Sequence, residues 1–142
     1  MVADDDLHAD LLRLYQVLRR RFDHRMTENG ISHSRVKMLM CIQEEHGAMR
    51  AADLADRFSV APRTVTESLD LLERDGLIAR VPDNVDRRVK RLEVTAKGRS
   101  MLEIAEPFRK QLTAEVFGVL DAQERSSLHA ALGKLIQSHS EG

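Results

Sequence analysis

Thiols and aromatic rings are scarce in this 142-residue sequence, and each shortage excludes a class of protein. A single cysteine excludes an internal disulfide framework and any zinc site built on several thiolates. With no Trp and one Tyr, the chain offers few rings for a cofactor or sugar site made of stacked aromatics. We therefore expect neither a metal nor another cofactor.

Proline, glycine and long apolar runs are also few. Three Pro and seven Gly are too few for a loop-rich β-sandwich, so we expect one mainly α-helical domain. No apolar run approaches the length of a membrane span. The acidic start, Asp4 to Asp6, has the wrong charge for a signal peptide. These features predict a cytoplasmic protein without a membrane partner.

The charge is unevenly distributed. The formal net charge is −1, yet residues 84–99 carry six cations and two anions, a local net charge of +4. Binding to a polyanion depends on where cations cluster, so this segment favours a nucleic-acid partner despite the total. The cations are Arg87, Arg88, Lys90, Arg91, Lys97 and Arg99.

Apolar residues at helical spacing predict most of the framework. The apolar stripe on the first helix is wider than a lone surface helix needs, so this helix is expected to face two partners. Pro107 lies inside the fifth helix and predicts a kink. The predicted helices cover residues 7–26, 32–46, 51–58, 62–76 and 95–118, and a final segment from Asp121.

Two segments have the alternating pattern of strands. Residues 77–81 and 91–95 predict a β-hairpin with a long, charged tip, and residues 48–50 predict a further brief strand. Helices 51–58 and 62–76, joined by a three-residue turn and followed by a hairpin, form the pattern of a winged helix-turn-helix. The expected fold is therefore mainly α with a small β-wing.

This pattern suits double-stranded DNA. The second helix of the motif would present its first residues to base edges in the major groove, and arginines at the hairpin tip suit the minor groove. Asp86, two residues before Arg88, can hold that guanidinium in a bidentate pair. The predicted DNA-binding residues are Arg63, Thr64, Thr66, Glu67, Asp86, Arg87 and Arg88.

Two features of this predicted site also have plainer interpretations. A charged hairpin tip is typical of a solvated loop. Ala61, the residue before Pro62, is a poor N-cap, and either the cap is simply weak or a DNA phosphate completes it in a complex.

The wing sequence resembles the signature of the multiple antibiotic resistance regulator (MarR) family. Asp86-Arg87-Arg88 is followed, after a short gap, by the run from Leu92 to Gly98, and residues 54–77 are similar to the family's helix-turn-helix. The resemblance implies a homodimer whose first and last helices interlace. It also implies a DNA-binding transcription regulator, usually a repressor released by a small molecule or by oxidation. Ser59, Ala61 and Val94 stand where the family commonly has glycine, serine and leucine.

The resemblance also implies a division of labour along the chain. Residues 1–30 and 97–142 would form the dimerisation region and residues 31–96 the DNA-binding region, acting on an inverted-repeat operator. A small-molecule effector would bind where the first, second and fifth helices meet the DNA-binding region. Its predicted contacts are Tyr15, Arg19, His33 and Arg35.

Other functions have weaker support. Cys41 lies mid-way along an apolar helix, which favours inert packing over redox sensing. The six histidines show no legible metal-ligand spacing. There is no glycine-rich phosphate loop or nucleophile elbow, which argues against an enzyme. A winged helix used only for protein contact would favour a neutral or acidic wing, which this one is not.

Overall fold

A computed structural model describes residues 1–140, so residues 141 and 142 of the predicted dimerisation region lie outside it. The described chain folds into six α-helices and one two-stranded antiparallel sheet, which confirms the mainly α fold with a small β-wing. None of these helices is long and apolar enough to cross a bilayer. The elements are α1 (Asp4–Glu28), α2 (His33–Glu44), α3 (Ala51–Phe58), α4 (Pro62–Arg74), β1 (Ile78–Pro82), β2 (Lys90–Val94), α5 (Ala96–Phe117) and α6 (Ala122–His139).

Side-chain caps fix where several helices begin. The Thr95 hydroxyl accepts from the backbone N–H of Gly98, which starts α5. Asp121 and Glu124 each accept from the other's backbone N–H, which forms a capping box at the start of α6. Helix α1 begins at Asp4, three residues before the predicted start, because its acidic first turn suits the helix dipole.

Helix α4 ends in a glycine cap at Gly76, where the sequence predicts the end of this helix. Gly76 has φ +76°, a conformation that glycine adopts without strain. The backbone N–H of Leu77 donates to the Leu72 carbonyl at 2.9 Å, and that of Gly76 donates to the Glu73 carbonyl at 3.0 Å. This cap turns the chain sharply from α4 into β1.

The sheet is the predicted hairpin. β1 and β2 pair antiparallel, with Ile78 opposite Val94 and Pro82 opposite Lys90. The predicted strand over residues 48–50 does not form. The segment makes one backbone bond to β2, from the Leu92 N–H to the Met49 carbonyl at 2.8 Å, and Arg50 then becomes the N-cap of α3. Because the chain turns into a helix at once, no ladder can extend.

The main apolar core lies between α2, α3, α4 and the base of the sheet. One face of the sheet, with Ile78 and Leu92, packs there against the apolar stripes of the three helices. This packing fixes α4 relative to the wing. A second, smaller core joins α1, α2 and α5. Helix α5 continues through Pro107 as one helix. The buried residues of the main core are Leu39, Ile42, Met49, Leu54, Ala55, Val65, Leu69, Leu72, Leu77, Ile78 and Leu92.

Candidate nucleic-acid interface

Helix α4 buries one side and presents the other to solvent. Val65, Leu69 and Leu72 are buried, so at 100° per residue the opposite side carries Arg63 and Glu67. The Arg63 guanidinium Nε donates to Glu67 Oε1 at 3.2 Å, and both side chains are mostly exposed. The outer side of α4 therefore presents a paired cation and anion.

The two predicted threonine contacts differ in position. The Thr66 hydroxyl donates to the Pro62 carbonyl at 3.0 Å, which leaves its methyl group and lone pairs at the surface. Thr64 lies on the side of α4 that faces α1, where it lines a cleft. Ala61 gives α4 no side-chain cap, as predicted.

Arg80 is a residue that the sequence interpretation missed. Arg80 lies on β1, and its guanidinium is 2.8 Å from Asp70 Oδ1 and 3.1 Å from Glu73 Oε1. Both carboxylates belong to the C-terminal half of α4. Arg80 neutralises carboxylates that would otherwise repel a polyanion laid along this helix. No local spacing predicts this contact, because a tight turn and a change of element separate the partners.

The hairpin tip shows the predicted acid–arginine pair. Asp86 Oδ1 accepts from Arg88 Nε at 3.1 Å and Oδ2 accepts from Arg88 Nη2 at 3.3 Å. The Arg88 guanidinium and backbone N–H lower the pKa of Asp86, so this carboxyl is ionised at neutral pH. The Arg88 side chain is 91% exposed, and the Arg87 side chain is exposed with no ion-pair partner among residues 1–140. The tip therefore pairs one exposed arginine with a carboxylate and presents a second exposed arginine beside it.

Asp83 shapes the same tip and was not predicted. Its Oδ2 accepts from the backbone N–H groups of Val85 and Asp86, both at 3.0 Å. These two bonds lower the pKa of Asp83. The sequence held a usable signal, since aspartate commonly bonds the backbone two residues on in a turn.

The four predicted effector contacts do not share one cavity. Tyr15 and Arg19 of α1 line a cleft of about 290 Å³ together with Lys37 of α2 and Thr64 of α4. His33 lines a separate cavity of about 190 Å³, against Phe22. The two rings stack with centroids 5.8 Å apart, and burial lowers the pKa of His33, so His33 is neutral at pH 7.

Arg35 lies apart from both cavities. Its Nη2 donates to Asp75 Oδ2 at 2.6 Å, which ties the start of α2 to the end of α4. The physical reason is helical geometry: residues two apart are about 200° apart around a helix, so Arg35 and His33 face opposite ways. Lys37 is the α2 cation that joins the cleft instead, with its Nζ 5.8 Å from the Phe58 ring centroid.

The other reactive side chains are the cysteine and possible metal ligands. Cys41 is partly buried and packs against the main core. Within residues 1–140, no group of three or more His, Cys, Asp or Glu side chains is arranged to hold a metal ion.

Fold and site together define a winged helix-turn-helix protein. A family model described as "MarR family" matches residues 31–90. The chain is 29% identical over 133 residues to the HTH-type transcriptional repressor MdtR of Bacillus subtilis (strain 168), covering 94% of this chain and 85% of MdtR.

Two solved structures extend the likeness over the chain. A MepR-like protein complexed with pseudoligands is 30% identical, with a TM-score of 0.59, and the match covers 95% of this chain and 94% of that one. The M. tuberculosis transcriptional regulator MOSR, in complex with DNA, is 28% identical with a TM-score of 0.64, over 92% and 95% of the two chains. This chain belongs to the MarR family of DNA-binding transcriptional regulators.

Proposed function

We propose that the protein is a homodimeric repressor that binds an inverted-repeat operator in double-stranded DNA and leaves it when a small molecule binds. The observation that carries this proposal is the wing tip, where Asp86 pairs with an exposed Arg88. MdtR is named a transcriptional repressor, and MOSR was solved with DNA. A role on genomic DNA in turn implies action in the cytoplasm.

The two DNA-facing elements would divide the work. Arg63, Thr66 and Glu67 at the start of α4 would meet base edges in the major groove, with Thr64 at the margin nearest α1. Arg87 and Arg88 would enter the neighbouring minor groove, where the negative potential is strongest at A·T-rich sequence. Asp86 would orient Arg88 rather than touch DNA itself.

Homodimer formation is supported by the outer helices. Along α1 and on α6, large apolar side chains remain exposed in the single chain. A two-fold pairing of these faces would present two α4 helices to half-sites about one helical turn apart, which is why the operator would be an inverted repeat. The exposed apolar residues of the two helices are Leu7, Leu11, Leu12, Leu14, Tyr15, Val17, Leu135 and Ile136.

The cleft between α1, α2 and α4 is our candidate effector site. Arg19 and Lys37 supply positive charge, while Tyr15 and Phe58 supply rings, so the cleft suits a small anion with an aromatic body. Because Thr64 of α4 lines the same cleft, a bound molecule that moves α4 relative to α1 would disturb the DNA-facing side. The MepR-like relative was solved with pseudoligands.

Binding to a labelled duplex from the protein's own upstream region tests the DNA proposal. We expect affinity that falls steeply as salt rises and that exceeds the affinity for a scrambled duplex. Arg88→Ala should weaken binding about tenfold or more, and Lys134→Ala, which removes a cation of α6, should not. A ligand-free protein that binds no duplex would refute the proposal, and equal affinity for the scrambled duplex would remove sequence specificity.

Transcription and ligand measurements test the rest. A reporter driven by the same upstream region should fall when the protein is present; a rise would make the protein an activator. Benzoate and larger aromatic carboxylates should raise the melting temperature and release the duplex. Arg19→Ala should abolish that response while its neighbour Arg20→Ala preserves it, and identical responses from both variants would remove the effector from this cleft.

A further inference from the structure

The loop at the wing tip, residues 83–89, is closed by its own backbone. The N–H of Asp83 donates to the Val89 carbonyl at 2.8 Å, and the N–H of Val89 donates to the Asp86 carbonyl at 3.0 Å. The second bond holds the Asp86 carbonyl, and the Asp86 carboxylate accepts from the backbone N–H and the guanidinium of Arg88. The backbone N–H groups of Val85 and Asp86 still need an acceptor.

The Asp83 carboxylate meets that need. Its Oδ2 accepts from two successive backbone N–H groups, those of Val85 and Asp86. Two bonds to one oxygen fix both the position and the tilt of this short segment. They also lower the pKa of Asp83, so the acceptor stays ionised at neutral pH.

Arg91 connects Asp83 to the body of the protein. Its Nε lies 3.4 Å from Asp83 Oδ1, and its Nη1 donates to the Gly47 carbonyl in the turn between α2 and α3 at 3.0 Å. Both Asp83 and Arg91 are partly buried, so water screens this link less than it screens the tip. This contact is an ion pair without a hydrogen bond, because the buried Arg91 Nε has no hydrogen-bond partner within residues 1–140. Charge attraction therefore draws the base of the loop to the body of the protein.

We propose that Asp83 is a positioning residue for DNA binding, which acts through a relay of contacts. Arg91, bonded to the Gly47 carbonyl, pairs with Asp83, and Asp83 holds the backbone of Asp86. The Asp86 carboxylate in turn holds Arg88. This inference rests on the proposed role of the wing in binding DNA. Asp83 itself touches no DNA. Its effect is to keep the Arg88 guanidinium in one pose before the duplex arrives, which lowers the entropy cost of binding.

The direction in which one mutation changes DNA affinity distinguishes this relay from a simple effect of charge. A carboxylate near the duplex repels phosphate, so removing only its charge should strengthen binding. The relay predicts the opposite for Asp83→Ala, because the loop loses its two anchoring bonds. Asp83→Asn keeps a side-chain oxygen that can accept from the backbone but loses the ion pair with Arg91, so the relay predicts binding between that of wild type and that of Asp83→Ala, whereas simple charge removal predicts tighter binding than wild type.

A double-mutant cycle on one duplex measures the coupling between Asp83 and Arg88. We expect Asp83→Ala to weaken binding about three- to tenfold in the wild-type background and to change it less than about twofold in the Arg88→Ala background. Asn84→Ala, in the same loop, is the matched control and should leave affinity unchanged. Asp83→Ala that binds as tightly as wild type, or that weakens binding equally in both backgrounds, overturns the relay.

A second measurement needs no DNA and so stands apart from the proposed function. Amide hydrogen exchange at Val85 and Asp86, followed by NMR, should be fastest in Asp83→Ala, intermediate in Asp83→Asn and close to wild type in Arg88→Ala. Unchanged exchange in Asp83→Ala overturns the relay even if DNA binds. If wild type binds no duplex, the proposed function fails, and the exchange rates still decide whether Asp83 anchors the tip. Asp83→Ser, whose hydroxyl can form a similar turn, replaces Asp83→Asn if that variant does not fold.

Discussion

In the winged-helix region, from α2 to β2, the apolar side of each helix packs against another element. Leu39, Leu54 and Leu69 are fully buried there. The outer helices differ. Helix α6 has no buried residue, and α1 buries only Met26, near its C-terminal end. One polypeptide therefore combines a region with a closed core and two helices with open apolar faces.

This difference separates two structural tasks. A closed core holds α4 and the wing at a fixed relative position, which a shape-matched DNA contact needs. Open apolar faces on α1 and α6 gain their stability only when something covers them, and a second copy brings identical faces. We infer that the geometry of one half-site is set within the chain, while the spacing between half-sites is set by pairing.

The closed core predicts the largest effect of a single substitution. Leu69→Ala should lower the free energy of unfolding by about 2–5 kcal/mol, because it leaves a cavity that the surrounding helices cannot fill. Leu71→Ala, two residues on in α4 but 45% exposed, should stay within about 1 kcal/mol of wild type. Urea unfolding at one fixed protein concentration measures both. Similar losses from the two variants would mean that the region is not closed.

Two glycines test the same contrast with a single added methyl group. A Cβ at Gly98 would lie 2.3 Å from the Leu77 carbonyl oxygen, so Gly98→Ala should destabilise the protein by about 1–3 kcal/mol. A Cβ at Gly133 in α6 meets nothing within 4 Å, so Gly133→Ala should stabilise the chain by roughly 0.5–1 kcal/mol. Thermal unfolding distinguishes the signs. A destabilised Gly133→Ala would sharpen the comparison by showing that a second copy packs closely there.

The open faces predict a change in assembly. Leu135→Asp on α6, where the leucine is 50% exposed, should weaken self-association about tenfold or more, because it places a charge on an apolar contact. Ser126→Asp is the matched control, since nine residues at 100° place it on the opposite side of the helix. Sedimentation over a dilution series measures both. If both variants associate like wild type, α6 is not part of the interface.

Local patterns predicted the fold better than they predicted the site. The stripe of Val65, Leu69 and Leu72 and the glycine cap at Gly76 depend on neighbours within one helix turn, so α4 and its end were confirmed. The Asp86–Arg88 pair spans two residues and was likewise confirmed in geometry. Its contact with DNA stays a prediction.

Contacts between residues far apart in the sequence could not be predicted from local patterns. Helical spacing could have shown that Arg35 and His33 face opposite ways, but no spacing rule identifies Asp75, 40 residues away, as the partner of Arg35. The strand expected at residues 48–50 failed for a related reason: a three-residue apolar–polar pattern is too short to outweigh a helix cap at Arg50. Asp83 was missed because only the charged residues Asp86, Arg87 and Arg88 of the hairpin tip were assigned a role.

The smallest expected effect concerns the ion pair that fastens α2 to α4. The hydrogen bond from Arg35 holds the pKa of Asp75 below its ordinary value of 3.8. A carboxyl with a lowered folded-state pKa adds stability that is fully present above its unfolded pKa and is lost as pH falls through the folded one. Asp75→Asn should therefore be slightly less stable than wild type at pH 7, and the two should converge in acid.

Urea unfolding at pH 7, 5 and 3 measures this difference. The pair is partly exposed, so solvent screening keeps its contribution small. Asp56→Asn is a suitable control, because the Asp56 carboxylate has no hydrogen bond or ion pair within residues 1–140. If Asp75→Asn differed from wild type by the same amount at all three pH values, the loss would come from packing at the end of α4. The Arg35–Asp75 pair would then make no electrostatic contribution to the stability of this region.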